Sequence, residues 1–113
     1  MMESGKAKQM ADLNMVPIEL QEALWIAVSE KDREILQNMI AKGKSNRRIA
    51  VWLSAQQCRI DSFQTVTGEC VDFRTSPQGL EAENPDEWNS RYSASWEQAA
   101  AILRALFNQR GCT

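Results

Sequence analysis

Two groups of side chains in this sequence have the types and spacing to act on a partner. The first is basic: Lys42, Lys44, Arg47 and Arg48 cluster around Gly43 and Ser45. Cations at the start of a helix can grip phosphates, because the N–H groups of its first turn also point outward. The same four residues would equally make a solvated corner between two helices. The second group is aromatic: Trp88, with Tyr92 four residues on, lies in a stretch rimmed by Glu83, Asp86 and Glu87, and Trp96 follows. Tryptophan joins large apolar area to an N–H donor, which suits both cores and interface hot spots. Trp88, Tyr92 and Trp96, supported by Leu103 and Phe107, are the expected contacts for a protein partner. The alternative is a loop pinned over the core by its aromatics, and the residues alone leave both readings open.

Catalytic chemistry has little to work with. Histidine is absent, which removes the commonest general base and metal ligand. Cys58, Cys70 and Cys112 are too scattered for a Cys-x-x-Cys half-site, and there is no glycine-rich phosphate loop. The sequence therefore predicts a non-enzymatic protein with no catalytic residues, no metal and no cofactor. Cys58 and Cys70 flank an expected turn and are read as buried thiols rather than a disulfide.

The elements that must position these groups follow from periodicity and punctuation. A first helix is expected from about Pro17, with Leu20, Ala23, Leu24, Ala27 and Val28 on one stripe. Trp25 and Ile26 widen its apolar surface, so it is either buried on two sides or holds a partner. Ser29 caps a second helix that ends at Gly43, with Ile35, Leu36, Met39 and Ile40 on one face. A third begins at Ser45 and carries Ile49, Ala50, Trp52 and Leu53, with Trp52 read as core. Beyond Gln57 the apolar period shortens. Ile60, Val66, Val71 and Phe73 around Thr67-Gly68-Glu69 predict a β-hairpin. Residues 75–92, broken by Pro77, Gly79 and Pro85, are expected to be an acidic loop.

A last helix is predicted from a capping box at Ser95-Trp96-Glu97-Gln98 to Gly111. Trp96, Ala99, Ile102, Leu103 and Leu106 form its stripe. Its alanines, Ala99-Ala100-Ala101, would let it pack closely against a copy of itself. The alternative is ordinary packing onto the first helix. A helix apolar on about half its perimeter could do both, so a homodimer is expected. The fold class is mainly α (α+β): four helices and one β-hairpin in a single compact domain at 15–113, after a mobile segment at 1–14.

At 113 residues with net charge −2 and a pI near 5.2, the chain is large enough for its own core. Its acidity leans against a dedicated nucleic-acid binder. No apolar run approaches the roughly 20 residues of a membrane span, and Met1 to Lys8 lack a signal peptide's apolar core. A cytoplasmic protein with no membrane contact is expected.

Two resemblances bear on function. Residues 29–53 resemble the first two helices of a LuxR-type helix-turn-helix, anchored at Ile35, Leu36, Gly43, Ser45, Asn46, Ile49, Ala50 and Leu53. That resemblance implies a DNA-binding transcriptional regulator reading DNA with residues 29–63. The segment that would enter the major groove, Gln57 to Phe63, carries one base and one acid, a departure that puts base reading in doubt. In size, acidity and helical make-up, the whole chain resembles the short quorum-sensing antiactivators of Pseudomonas. This implies a small regulator that binds a LuxR-type transcription factor and inhibits it by occupying surface needed for dimerisation.

Overall fold

The computed structural model describes residues 10–56, 60, 62–68 and 70–110. A 3₁₀ turn at Leu13–Met15 leads into α1 (Ile18–Ala27), α2 (Glu30–Ala41) and α3 (Asn46–Ala55). A minimal hairpin follows, β1 (Phe63–Gln64) and β2 (Cys70–Val71), and then α4 (Leu80–Glu83), α5 (Pro85–Arg91) and α6 (Ser93–Gln109). The mainly helical class with one antiparallel hairpin is as expected, but six helices replace the four predicted.

The first three helices obey their punctuation. Pro17 caps α1, and its carbonyl accepts from the N–H groups of Leu20 and Gln21. Ser29 Oγ accepts from Asp32 N at 3.2 Å, and Ser45 Oγ accepts from Arg48 N at 3.2 Å. Between them the chain turns through a Schellman motif. Gly43 N donates to Ile40 O and Lys44 N to Met39 O, both at 3.0 Å. Gly43 sits at φ +76°, a left-handed conformation that L side chains adopt only with strain. This closes a tight αα-hairpin over residues 29–55.

Helix α6 is the axis of the fold. Residues 102–107 are all buried, so over this stretch the helix is enclosed on every side rather than on one stripe, and α3, α1 and α5 pack against it. Leu20 and Leu24 of α1, Leu36 of α2 and Ile49 and Leu53 of α3 complete the core. Each buried aliphatic side chain of this kind contributes about 1.5–3 kcal/mol relative to exposure. Ala99 and Ala100 are fully buried, and Ala101 O accepts a hydrogen bond from Ala11 N at 3.2 Å. The small-residue stripe expected to meet a second copy is thus consumed inside one chain. Leu13 also packs against the core, and Gln21 Nε2 donates to Leu13 O and Val16 O.

The hairpin pairs Phe63 with Val71 and Gln64 with Cys70, and its turn closes with Gly68 N donating to Thr65 O at 2.9 Å. Cys70 therefore stands opposite Gln64 and is exposed, contrary to the buried thiol expected; Cys58 lies outside the described residues. Val71 and Phe73 point into the core, and Ser76 N donates to Ser54 O at 2.6 Å, fastening this strand to the end of α3.

The acidic loop expected over 75–92 is instead two short helices. Gly79, at φ +86°, starts α4 from a left-handed conformation. Asn84 caps α5 by accepting from Glu87 N at 3.1 Å, with Pro85 at the first helical position. Helix α6 also begins two residues before the expected capping box, after Tyr92, whose carbonyl accepts from Trp96 N at 3.1 Å. Ser95 lies within its first turn, not at a cap.

Candidate functional site: a groove along the αα-hairpin

The five expected partner contacts are placed mostly inside the core. Trp88, Trp96 and Leu103 are fully buried, and Phe107 is 6% exposed. Trp96 is anchored as a core residue: its Nε1 donates to Arg74 O at 2.7 Å, and its ring meets Phe73 edge-on at 5.3 Å. Phe107 is covered by Trp25, with ring centroids 4.9 Å apart. Trp88 stacks on half-buried Tyr92 at 5.9 Å. A fully buried indole offers no face to a partner. Of the two readings of this aromatic group, the geometry is that of a segment pinned over the core, and a contact surface must be sought elsewhere.

The four basic residues separate by role. Arg47 is clamped: Nη2 meets Glu81 Oε2 at 3.2 Å, and Nη1 meets Glu97 Oε2 at 3.5 Å and Asn89 Oδ1 at 3.0 Å. It draws α4, α5 and α6 onto α3. Lys42 is exposed beside the Schellman turn, Lys44 is half-buried and Arg48 is exposed. Among the described residues, neither the Lys44 ammonium nor the Arg48 guanidinium has a carboxylate partner.

Beneath these cations lies a groove of about 690 Å³. Its main wall is one face of α3: Arg48, Val51, Trp52 and Ala55 stand at i, i+3, i+4 and i+7 and all line it. The opposite face of α3 carries Ile49, Ala50, Leu53 and Ser54 and is buried. Trp52, expected in the core, packs against it but is only half-buried and also lines the groove. Met39 of α2 adds apolar surface, and Gln78, Gly79 and Glu81 close the far side. The groove thus has an apolar wall and a cationic rim.

A residue not foreseen from sequence fixes the corner that carries this rim. Arg104 of α6 is 5% exposed, and it donates through Nε to Asn46 Oδ1 at 3.0 Å and through Nη2 to Lys44 O at 2.5 Å. Burial pushes its guanidinium below its ordinary pKa. Its position within an otherwise apolar helix stripe was the available clue, because a buried arginine needs backbone or amide acceptors.

A second arrangement is built on α1. Trp25 is flanked by the guanidinium groups of Arg33 at 4.8 Å and Arg110 at 4.4 Å. Arg33 also donates to Trp25 O, and Arg110 pairs with Glu22 at 3.1 Å. Ile18 and Ile26 of α1 are 59% and 70% exposed beside it, so the wide apolar perimeter of the first helix is buried on one side only.

Among the described residues no group of three or more His, Cys, Asp or Glu side chains could hold a metal ion. No described helix is long and apolar enough to cross a membrane. Comparison of the chain with protein-family models, curated proteins and solved structures returned no match.

Proposed function

We propose that this chain is a small non-enzymatic regulator that binds a transcription factor of the LuxR type and lowers its active population, in the manner of an antiactivator. The observation that carries this reading over the DNA-binding alternative is the state of Arg47. A helix-turn-helix needs its basic corner free for phosphates, whereas Arg47 is held by Glu81, Glu97 and Asn89. The chain after α3 supports the same choice. Gln56 is extended, so α3 ends there, and a short hairpin of Phe63–Gln64 with Cys70–Val71 follows; most of the segment expected to read DNA, Gln57 to Phe63, lies outside the described residues. What remains is a two-helix scaffold whose outward face is an apolar groove, a surface suited to protein contact.

In this mechanism the regulator binds one state of the factor better than the other and shifts the balance by that difference in affinity. Trp52 replaces the buried Trp88 and Trp96 as the principal contact. Homodimerisation belongs to the same proposal, and sedimentation of the purified chain measures it; on this fold it cannot use the buried alanine stripe of α6. The test of function is a titration of a purified LuxR-type activator on its operator DNA. The chain should release the activator near equimolar ratio, and Trp52→Ser should need about tenfold more protein, a loss of about 1.4 kcal/mol. An activator that stays on its operator at large excess of the chain would refute the reading.

A further inference from the structure

From the groove we infer the chemistry of what it binds: an acidic peptide segment with a large aliphatic or aromatic anchor. This rests on the reading of the groove as a protein-docking surface and goes further by fixing the sign and anatomy of the partner. Three cations line the groove, Lys44, Arg47 and Arg48, against one carboxylate, Glu81. Arg47 and Glu81 satisfy each other at 3.2 Å, and Arg47 also takes Glu97. Two positive charges are therefore left uncompensated, both at the α2–α3 end. Lining charges of one sign, next to apolar surface, favour a partner of the opposite sign.

The apolar part sets the second requirement. Trp52, Val51 and Met39 form a wall that a purely acidic segment would desolvate without return, since burying charge against apolar surface is unfavourable. A Leu, Phe or Trp side chain laid on Trp52 recovers that area, while Asp or Glu one turn away reaches Lys44 and Arg48. An amphipathic helix presents such a combination at i and i+3 or i+4. Nucleic acid is the competing polyanion and could stack a base on Trp52. A strand of phosphates would need a continuous cationic track, and here Arg47 is already neutralised and Glu81 stands on the far side.

The experiment is a selection of a random peptide library, displayed on phage, against the immobilised full chain, followed by affinity measurements of the enriched synthetic peptides. Enriched peptides should be acidic with at least one large apolar residue. Their affinity should fall tenfold or more on Arg48→Glu, which lies at an exposed position and leaves the core untouched, and on Trp52→Ser. Peptides that are neutral or basic, yet lose affinity on Trp52→Ser, would overturn the acidic assignment and leave the docking reading standing. No enrichment, or peptides indifferent to both variants, would overturn docking at the groove itself. Binding of a single-stranded or duplex DNA oligonucleotide that depends on Trp52 and Arg48 would reassign the groove to nucleic acid.

Discussion

Replacing Arg47 with alanine tests whether this side chain is an internal clamp or a grip for phosphates. Its guanidinium makes two ion pairs and one hydrogen bond, at 3.2, 3.5 and 3.0 Å. Arg47 is 41% exposed and its carboxylate partners 34% and 39%, so solvent screens each pair strongly. Ion pairs this exposed contribute about 0.2–1 kcal/mol each. Holding one side chain for three contacts costs its rotamer entropy only once, so the three together stabilise the fold by about 1–2 kcal/mol. For a domain of about this size, the melting temperature of Arg47→Ala should fall by about 5–10 °C. The assay is thermal unfolding followed by circular dichroism. Repeated in about 1 M salt, where the screening length is about 3 Å, the gap between wild type and variant should narrow to less than half. A double-mutant cycle with Glu81→Gln should return a coupling of about 0.5–1 kcal/mol. An unchanged melting temperature at low salt, with loss of DNA binding in the same variant, would refute the clamp and restore the phosphate-gripping role.

Further predictions concern the buried polar groups. Arg104→Met should lower stability by about 1–3 kcal/mol, since two hydrogen bonds from a charged donor are lost while the cost of burying that charge is relieved; chemical denaturation measures it. Burial lowers the Arg104 pKa, so its desolvation cost is present wherever the group is protonated and would be relieved only as pH rises past its folded pKa. Because arginine stays charged throughout, the stability difference should be flat from about pH 5 to 9. Trp96→Phe should cost about 1–2 kcal/mol more than Trp88→Phe. The first change strands Arg74 O, whereas the Trp88 indole N–H has no hydrogen-bond partner among the described residues. Equal losses in denaturant titrations of the two variants would contradict this.

How much was legible in the sequence depended on whether the cause was local. Ser29, Gly43 and Ser45 marked the αα-hairpin, because caps and left-handed turns are decided within a few residues. The last helix shows through its apolar stripe, but its start does not, since it is set by Tyr92, where α5 ends and α6 begins. Helices α4 and α5, ending at Glu83 and Arg91, are too short for periodicity to register. Their traces were Gly79 and the run Asn84-Pro85-Asp86-Glu87, a cap with proline at the first helical position, read instead as loop punctuation. Trp52 is only half-buried and Trp88 fully buried for a tertiary reason. Position on a helix stripe does not say which neighbour covers it, and Glu81 and Gln78 had to be brought beside α3 before a groove existed. The role of Arg104 is only hinted at by its apolar neighbours for the same cause, as its acceptors, Lys44 O and Asn46 Oδ1, lie far back in the chain.

The central claim is that a protein partner docks on the groove face of α3. The most direct measurement uses the four tryptophans as reporters, because their indole N–H resonances mark four distinct places: Trp52 in the groove, Trp25 between Arg33 and Arg110, and Trp88 and Trp96 in the core. Titrating a LuxR-type activator into the protein labelled with ¹⁵N at tryptophan should shift or broaden the Trp52 resonance first and leave Trp25 in place. A titration that moves Trp25 while Trp52 stays fixed, or that moves neither, would contradict the account.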